Sequence, residues 1–313
     1  MTNLPLSFTV RAVPRNAPRS TDHPLRARLA ILAAAILFST GGAAIKATQL
    51  SGWQVASFRS AVAAGAVLLM LPAARRGFGR LSAIVGVFYA ATMILFVLAN
   101  KLTTAASTIF LQATAPIYLV LLGPWLLKEP LRKRELTFMA ALAAGLALFF
   151  VGREAGSLTA PDPFRGNVLA ALSGLCWALA VAGLRFMGKR GGHAGGSAAA
   201  VVLGNLFAFL LCLPFALPIA SARATDVAIV VFLGVVQIGL AYVLLTYGLS
   251  EVGALEASLL LLAEPVLNPL WDWLVHGERP SAWSFAGGAV IVAATLGKTL
   301  VSGDARRTGE VSA

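Results

Sequence analysis

In a chain this apolar few residues can do chemistry, and Glu264 comes first among them. It is the only charged residue between Glu256 and Asp272. An acid set in such a run can meet a cationic group or carry a proton. It can also sit protonated against a neighbouring segment, because burial favours the neutral acid. Pro265 follows, withholding an N–H and disturbing the turn before it, which leaves a carbonyl beside the carboxyl. On a helix Asn268 and Trp271, four and seven residues on, share the face of Glu264. Gln112 adds a mid-helix amide beside a second proline, Pro116, which is expected to kink its helix. Tyr89, Thr92, Met93, Phe96 and Asn100 form a stripe at helical spacing, Tyr242 stands between Gln237 and Thr246, Ser39 opens the small-residue patch Ser39-Thr40-Gly41-Gly42, and Trp177 lies in a later run. Small residues at helical spacing also serve packing. Buried amides weigh more, since an unsatisfied polar group away from water costs several kcal/mol. The candidate binding set is Glu264, Asn268, Trp271, Gln112, Tyr89, Phe96, Trp177, Tyr242 and Ser39. One acid, a few amides and many aromatics suit a neutral, zwitterionic or weakly cationic organic molecule.

Arg59 has two readings. It pairs with an acid or a substrate carboxylate, or it snorkels to an interface close by. Glu256 and Asp272 stand within about two helical turns of their segment ends, where an interfacial position is expected. Other chemistries lack their parts. Ser39 and Ser173 are mid-run but no His is, so a nucleophile–base pair has no base. His23, His193 and His276 are scattered and suggest no metal site, and Cys176 and Cys212 read as two buried thiols. No phosphate-cradling glycine loop with a lysine appears, and Gly191 to Gly196 reads as a flexible linker. No basic group stands at mid-run to receive a sugar phosphate. The expectation is a protein that is not an enzyme and uses no cofactor or metal.

The elements that must position these residues follow from composition. Hydrophobic residues make up 58% of the 313 and charged residues 12%, against about 45–50% and about 25% in soluble domains. Net charge is +12, which a nucleic-acid footprint or the cytoplasmic bias of a membrane protein could produce. Apolar runs near 29–48, 53–72, 81–100, 103–126, 135–152, 165–187, 197–219, 225–248, 252–274 and 283–301 have the length a bilayer core demands. Their lack of two-residue alternation selects helices over a barrel. The fold expected is all-α and integral to a membrane, with ten transmembrane helices. With the N-terminus inside, eighteen Lys and Arg fall on the inner side and six, among them Lys46 and Arg279, on the outer, with Arg59 alone within a span. That bias places both termini in the cytoplasm, leaves a lipid bilayer and a small molecule as partners, and removes the nucleic-acid reading. Assembly as a monomer is expected. Trp53, Trp125, Trp273 and Trp283 lie near span ends, as interfacial belts do.

The chain also repeats itself. Residues 105–129 lie on 254–278 at an offset of 149, pairing Leu111 with Leu260, Pro116 with Pro265 and Glu129 with Glu278; at an offset of 139 Phe38 pairs with Trp177 and Lys46 with Arg185. Two halves of five helices enter the bilayer from opposite sides, the inverted repeat of many secondary transporters, which surrounds a central cavity and allows alternating access. The segments Ala113-Thr114-Ala115-Pro116-Ile117 to Lys128-Glu129-Pro130 and Ala263-Glu264-Pro265-Val266 to His276-Gly277-Glu278-Arg279-Pro280, with Phe58-Arg59, resemble the EamA family of the drug/metabolite transporter superfamily. Within it, the YddG-like aromatic amino-acid exporters are most similar. The resemblance implies repeats over 28–153 and 160–301 and export of amino acids or other metabolites across the inner membrane; the polar end at 1–27 is expected as a disordered cytoplasmic tail, and 302–313 as a second cytoplasmic tail. Ala115 standing opposite Glu264 breaks the symmetry and leaves proton coupling open.

Overall fold

The computed structural model describes residues 22–126, 133–151, 156–189, 194–252 and 254–307. They are helical almost throughout. The first half contains α1 (Asp22–Ser39), α2 (Gly41–Ala47), α3 (Gly52–Met70), α4 (Arg80–Leu102), α5 (Ala105–Gln112), α6 (Ala115–Leu126) and α7 (Lys133–Val151). The second contains α8 (Pro163–Lys189), α9 (Ala194–Ala216), α10 (Ala224–Val231), α11 (Ala241–Glu251), α12 (Ala254–Leu261), α13 (Ala263–His276) and α14 (Ala282–Arg307). A π-helical stretch, Phe232–Leu240, joins α10 to α11. Six stretches are long and apolar enough to cross a membrane, and shorter apolar helices span Ala105–Leu119, Leu136–Val151 and Ala282–Gly297.

Local chemistry sets the ends. Ser51 caps α3 in a reciprocal box, its Oγ accepting from Gln54 N at 3.2 Å while Gln54 Oε1 accepts from Ser51 N at 3.0 Å. Thr104 caps α5 through Ser107 N. Gly277, at φ 65°, closes α13 in the left-handed conformation that glycine tolerates.

Three runs expected as single spans are each two helices. The first breaks at Thr40, the fourth at Ala113 and Thr114, and the ninth at Leu262. Hydropathy does not register these breaks, because the residues at each are as apolar or small as their neighbours. The glycine-rich linker is also shorter than expected: α9 starts at Ala194, so Gly195 and Gly196 are helical. Helix likewise reaches into both expected tails, over Asp22 to Ala27 and Ser302 to Arg307. Lys128, Glu129, Arg132, Arg190 and His193 lie outside the described residues.

The packing is reciprocal between the halves. α3 packs on α9, and α7 on α14, each second or fifth helix on its own counterpart. The contact of α4 with α8 is answered by that of α11 with α1, and that of α4 with α9 by that of the π-helical stretch with α3. Exchanging the halves therefore returns these four pairings. At one of them α4 and α9 meet at backbone distance. A Cβ on Gly204 would stand 2.6 Å from Tyr89 Cδ1 and 2.9 Å from Gly86 O. Gly204→Val is expected to cost about 1–3 kcal/mol through overpacking, read as a lower melting temperature in detergent. An unchanged melting temperature would contradict this close crossing.

Candidate functional site

The two later helix breaks face one another. At the α5–α6 break Thr114 turns back on Leu111, its N donating to Leu111 O at 3.2 Å and its Oγ1 at 2.6 Å. Pro116 then occupies the first turn of α6, where a missing N–H breaks no helical bond. At the α12–α13 break Leu262 N donates to Leu259 O, and Pro265 occupies the first turn of α13. Both prolines start helices rather than kink them, which corrects the sequence reading of Pro116 as a mid-helix kink. Between the breaks and α8 lies a cavity of about 270 Å³, lined by Gln112, Ala113, Pro116, Trp177, Glu264 and Pro265 among others. α8 closes on the first break at Gly174, where a Cβ would lie 3.1 Å from Leu111 O and 3.2 Å from Gln112 O.

Glu264, Gln112 and Trp177 are thus brought together. Glu264 begins α13, where the helix dipole favours a negative group, and among the described residues no basic side chain pairs with it. Gln112 Nε2 donates to Ser173 Oγ at 2.8 Å, and Ser173 Oγ donates to Thr92 O at 3.2 Å. Ser173 was considered in the sequence only as a nucleophile, and it serves instead to hold the amide. Aromatic rings continue from the wall: Trp177 meets Tyr89 at 6.3 Å, Tyr89 meets Tyr242 at 6.4 Å, and Tyr242 meets Phe38 at 5.5 Å, all edge to face. Trp271 Nε1 donates to Ser39 Oγ at 2.8 Å, tying α13 to the end of α1. Asn268 and Phe96 lie apart from the cavity. Asn268 is buried with Oδ1 unpartnered, beside the position a Gly42 Cβ would take, and Phe96 packs in the main apolar core with Ile45 and Val97.

Two charged residues depart from expectation. Arg59 does not snorkel. It is 1% exposed, enclosed where α3 meets α4 and α9, with Nη2 3.5 Å from Met93 Sδ and no acidic partner among the described residues. It faces neighbouring helices, so its stem cannot reach an interface. Asp272 is not interfacial either; it is 1% exposed, because the segments at Ala105 and Glu278 close over the end of α13. Glu256 does stay at the surface, paired with Arg28.

Asp272 belongs to a buried ionic cluster at the other end of α13 from Glu264. Lys46 Nζ, at the end of α2, donates to the carbonyls of Thr103 and Thr159 and to Glu278 Oε1 at 3.0 Å. Glu278 Oε2 and Asp272 Oδ2 accept from the same N–H, that of Ala105, at 3.1 and 3.2 Å. His276 lies 3.9 Å from Asp272 Oδ1, and its Nε2 is 2.9 Å from Ala43 O. Burial works against the Glu278 carboxylate, but the hydrogen bond with Asp272 and the Lys46 ammonium prevail and hold it below the ordinary carboxylate range. One residue of each half makes this ion pair. The sequence signal was the repeat, which aligns Lys46 and Glu278 with residues of the same charge.

Comparison with known proteins bears on this arrangement. The profile of the EamA-like transporter family matches twice, over residues 25–151 and 164–299. One solved crystal structure of a protein aligns over 90% of this chain and 98% of its own at 21% identity, with a TM-score of 0.58, which is a likeness of fold. No curated protein matches the chain.

Removing one partner of a buried ion pair leaves the other charge uncompensated, at about 3–5 kcal/mol. Lys46→Met is therefore expected to lower the melting temperature well below that of the Lys46→Met, Glu278→Gln double variant. Equal melting temperatures for the two would show that the pair contributes nothing.

Proposed function

Because the chain belongs to the EamA-like transporter family, whose members move small molecules across membranes, we propose that it exports amino acids, aromatic or otherwise neutral, by alternating access. The observation that carries this reading is the cavity between the two helix breaks. Its wall holds one acid with no basic partner among the described residues, one amide and an indole. A half-buried carboxylate on a cavity wall, with no basic partner among the described residues, calls for a cation, and the ammonium of an amino acid supplies one to Glu264. Ala115, the first residue of α6, borders the same cavity, and helix geometry leaves its N–H without a partner inside the helix. That N–H suits the substrate carboxylate, as helix N-termini at broken helices do. Trp177, backed by Tyr89 and Tyr242, offers a face to an apolar or aromatic side chain. Gln112 would orient the substrate, while Ser39, Trp271, Asn268 and Phe96 hold the helices that form the site.

The transport cycle in this reading uses ten spans in two inverted halves, in the inner membrane, with both termini in the cytoplasm. The reciprocal packing of the halves supports it, since two equivalent sets of interfaces permit two packings of similar stability. An exporter of another organic cation would use the same acid without the carboxylate site.

Two experiments follow. In proteoliposomes a panel of amino acids should show flux for at least one, and Glu264→Gln should raise its KM about tenfold or more, the worth of a charged hydrogen bond. No flux for any amino acid sinks this substrate class, and an unchanged KM makes Glu264 structural. Phe78→Cys and Ser157→Cys should react with an impermeant thiol reagent from opposite faces of the membrane. Labelling of both from one face would break the ten-span topology.

A further inference from the structure

We propose that Asp272 and Glu278 form a carboxyl pair that binds one exchangeable proton, and that this proton decides whether the two halves stay joined at this end of the bundle. Two carboxyl groups lie here, both buried, and Lys46 supplies one positive charge, to Glu278. An oxygen of each carboxyl accepts from the same Ala105 N–H, Glu278 Oε2 at 3.1 Å and Asp272 Oδ2 at 3.2 Å, which sets the two groups side by side. A hydrogen bond between two carboxyl oxygens needs a hydrogen on one of them, because an ionised carboxylate only accepts. Asp272 is the member with room for it: it is 1% exposed and its Oδ1 has no hydrogen-bond partner.

The other charges around the pair are engaged elsewhere or turned to solvent. His276 is 3.9 Å from Asp272 and has its ring nitrogen on Ala43 O. Lys101, on α4, spends its ammonium on Thr48, both O and Oγ1. Asp226, on α10, accepts from the backbone of Gln49 and Arg223. Arg279 is exposed, with no acidic partner among the described residues. From the remaining contacting segment, Thr159, only a carbonyl and a hydroxyl are offered. With the proton bound, the cluster is one ion pair and one neutral acid. When the proton passes to water, two anions share one ammonium in a site closed to solvent, and like charges this close repel. The opposing segments are the Asp272–Glu278 turn of the second half and the Lys46–Ala105 surface of the first. Loss of the proton favours their separation, and its return restores contact.

The part of the proposal that concerns transport rests on the alternating-access reading; the binding of a proton does not. The sign of the pH effect follows from linkage. In the unfolded chain both carboxyls are ionised above about pH 5, while the pair still holds its proton, so stability falls as pH rises until that proton is lost. Asp272→Asn supplies the bridging hydrogen as an amide N–H that cannot leave. Melting temperatures in detergent are measured between about pH 5 and pH 9 for both chains. The wild type should fall by about 4 °C over that range relative to the Asn variant. The infrared carbonyl band of a protonated carboxyl, recorded on wild-type protein and on Glu264→Gln to set aside that second acid, should be present at the acid end and vanish as pH rises. Parallel melting profiles, or no such band in Glu264→Gln, overturn the proposal. Neither readout uses a substrate, so the amino-acid reading can fail in liposomes while the proton pair stands, and the reverse.

Discussion

Backbone polar groups away from water must find partners within the protein. An unbroken helix satisfies them alone; a broken one cannot, and can be tolerated only where neighbouring groups or a polar cavity complete it. Three runs of this chain break their helices in the middle, at Thr40, at Ala113 and Thr114, and at Leu262. Each break is repaired locally. Thr40 and Thr114 fold back on the carbonyl three residues earlier, and the prolines stand where no N–H is missed. The cavity and the hydrogen bonds around it are consequences of those repairs. Gln112 comes to the wall because α5 ends there, and Glu264 because α13 begins there.

Duplication explains why the breaks meet. Residues at equivalent positions of two similar halves are carried to one place by the reciprocal packing of α4 on α8 and α11 on α1. The halves are not identical where it matters chemically. Ala115 stands where the second half has Glu264, so the site has one acid rather than two. At the far end of α13 the halves meet again through Lys46 and Glu278, a contact held by charge rather than by apolar area. Apolar packing, spread along α3, α4 and α9, gives way gradually. A buried ion pair is either made or broken, which is the property that the proposed cycle would require of a contact between the halves.

Much of this was legible in the sequence. Apolar runs separated by short polar breaks announced helices of membrane length, and six stretches are long and apolar enough to cross a membrane; the repeat announced two halves. Glu264, Gln112 and Trp177 stood out because polar or bulky groups are rare in such runs, and they share a cavity. The helix breaks were hidden, since hydropathy averages over a window and both proline-bearing runs stay apolar across the break. Asp272 and Arg59 were misplaced for a related reason. Distance from a segment end measures depth along an axis, whereas their burial is decided by which helices lie beside them: α4 and α9 for Arg59, and the connections around Ala105 and Thr159 for Asp272.

The central claim is that the cavity between the two helix breaks receives the substrate. It is tested most directly by occupancy at the wall. In a chain with Cys176 and Cys212 replaced by serine, Ala113→Cys places a thiol on that wall. The account predicts that a transported amino acid slows reaction of this thiol with an impermeant reagent, and that Glu264→Gln removes the protection. A rate that no transported amino acid alters, measured in liposomes where flux proceeds, would contradict it.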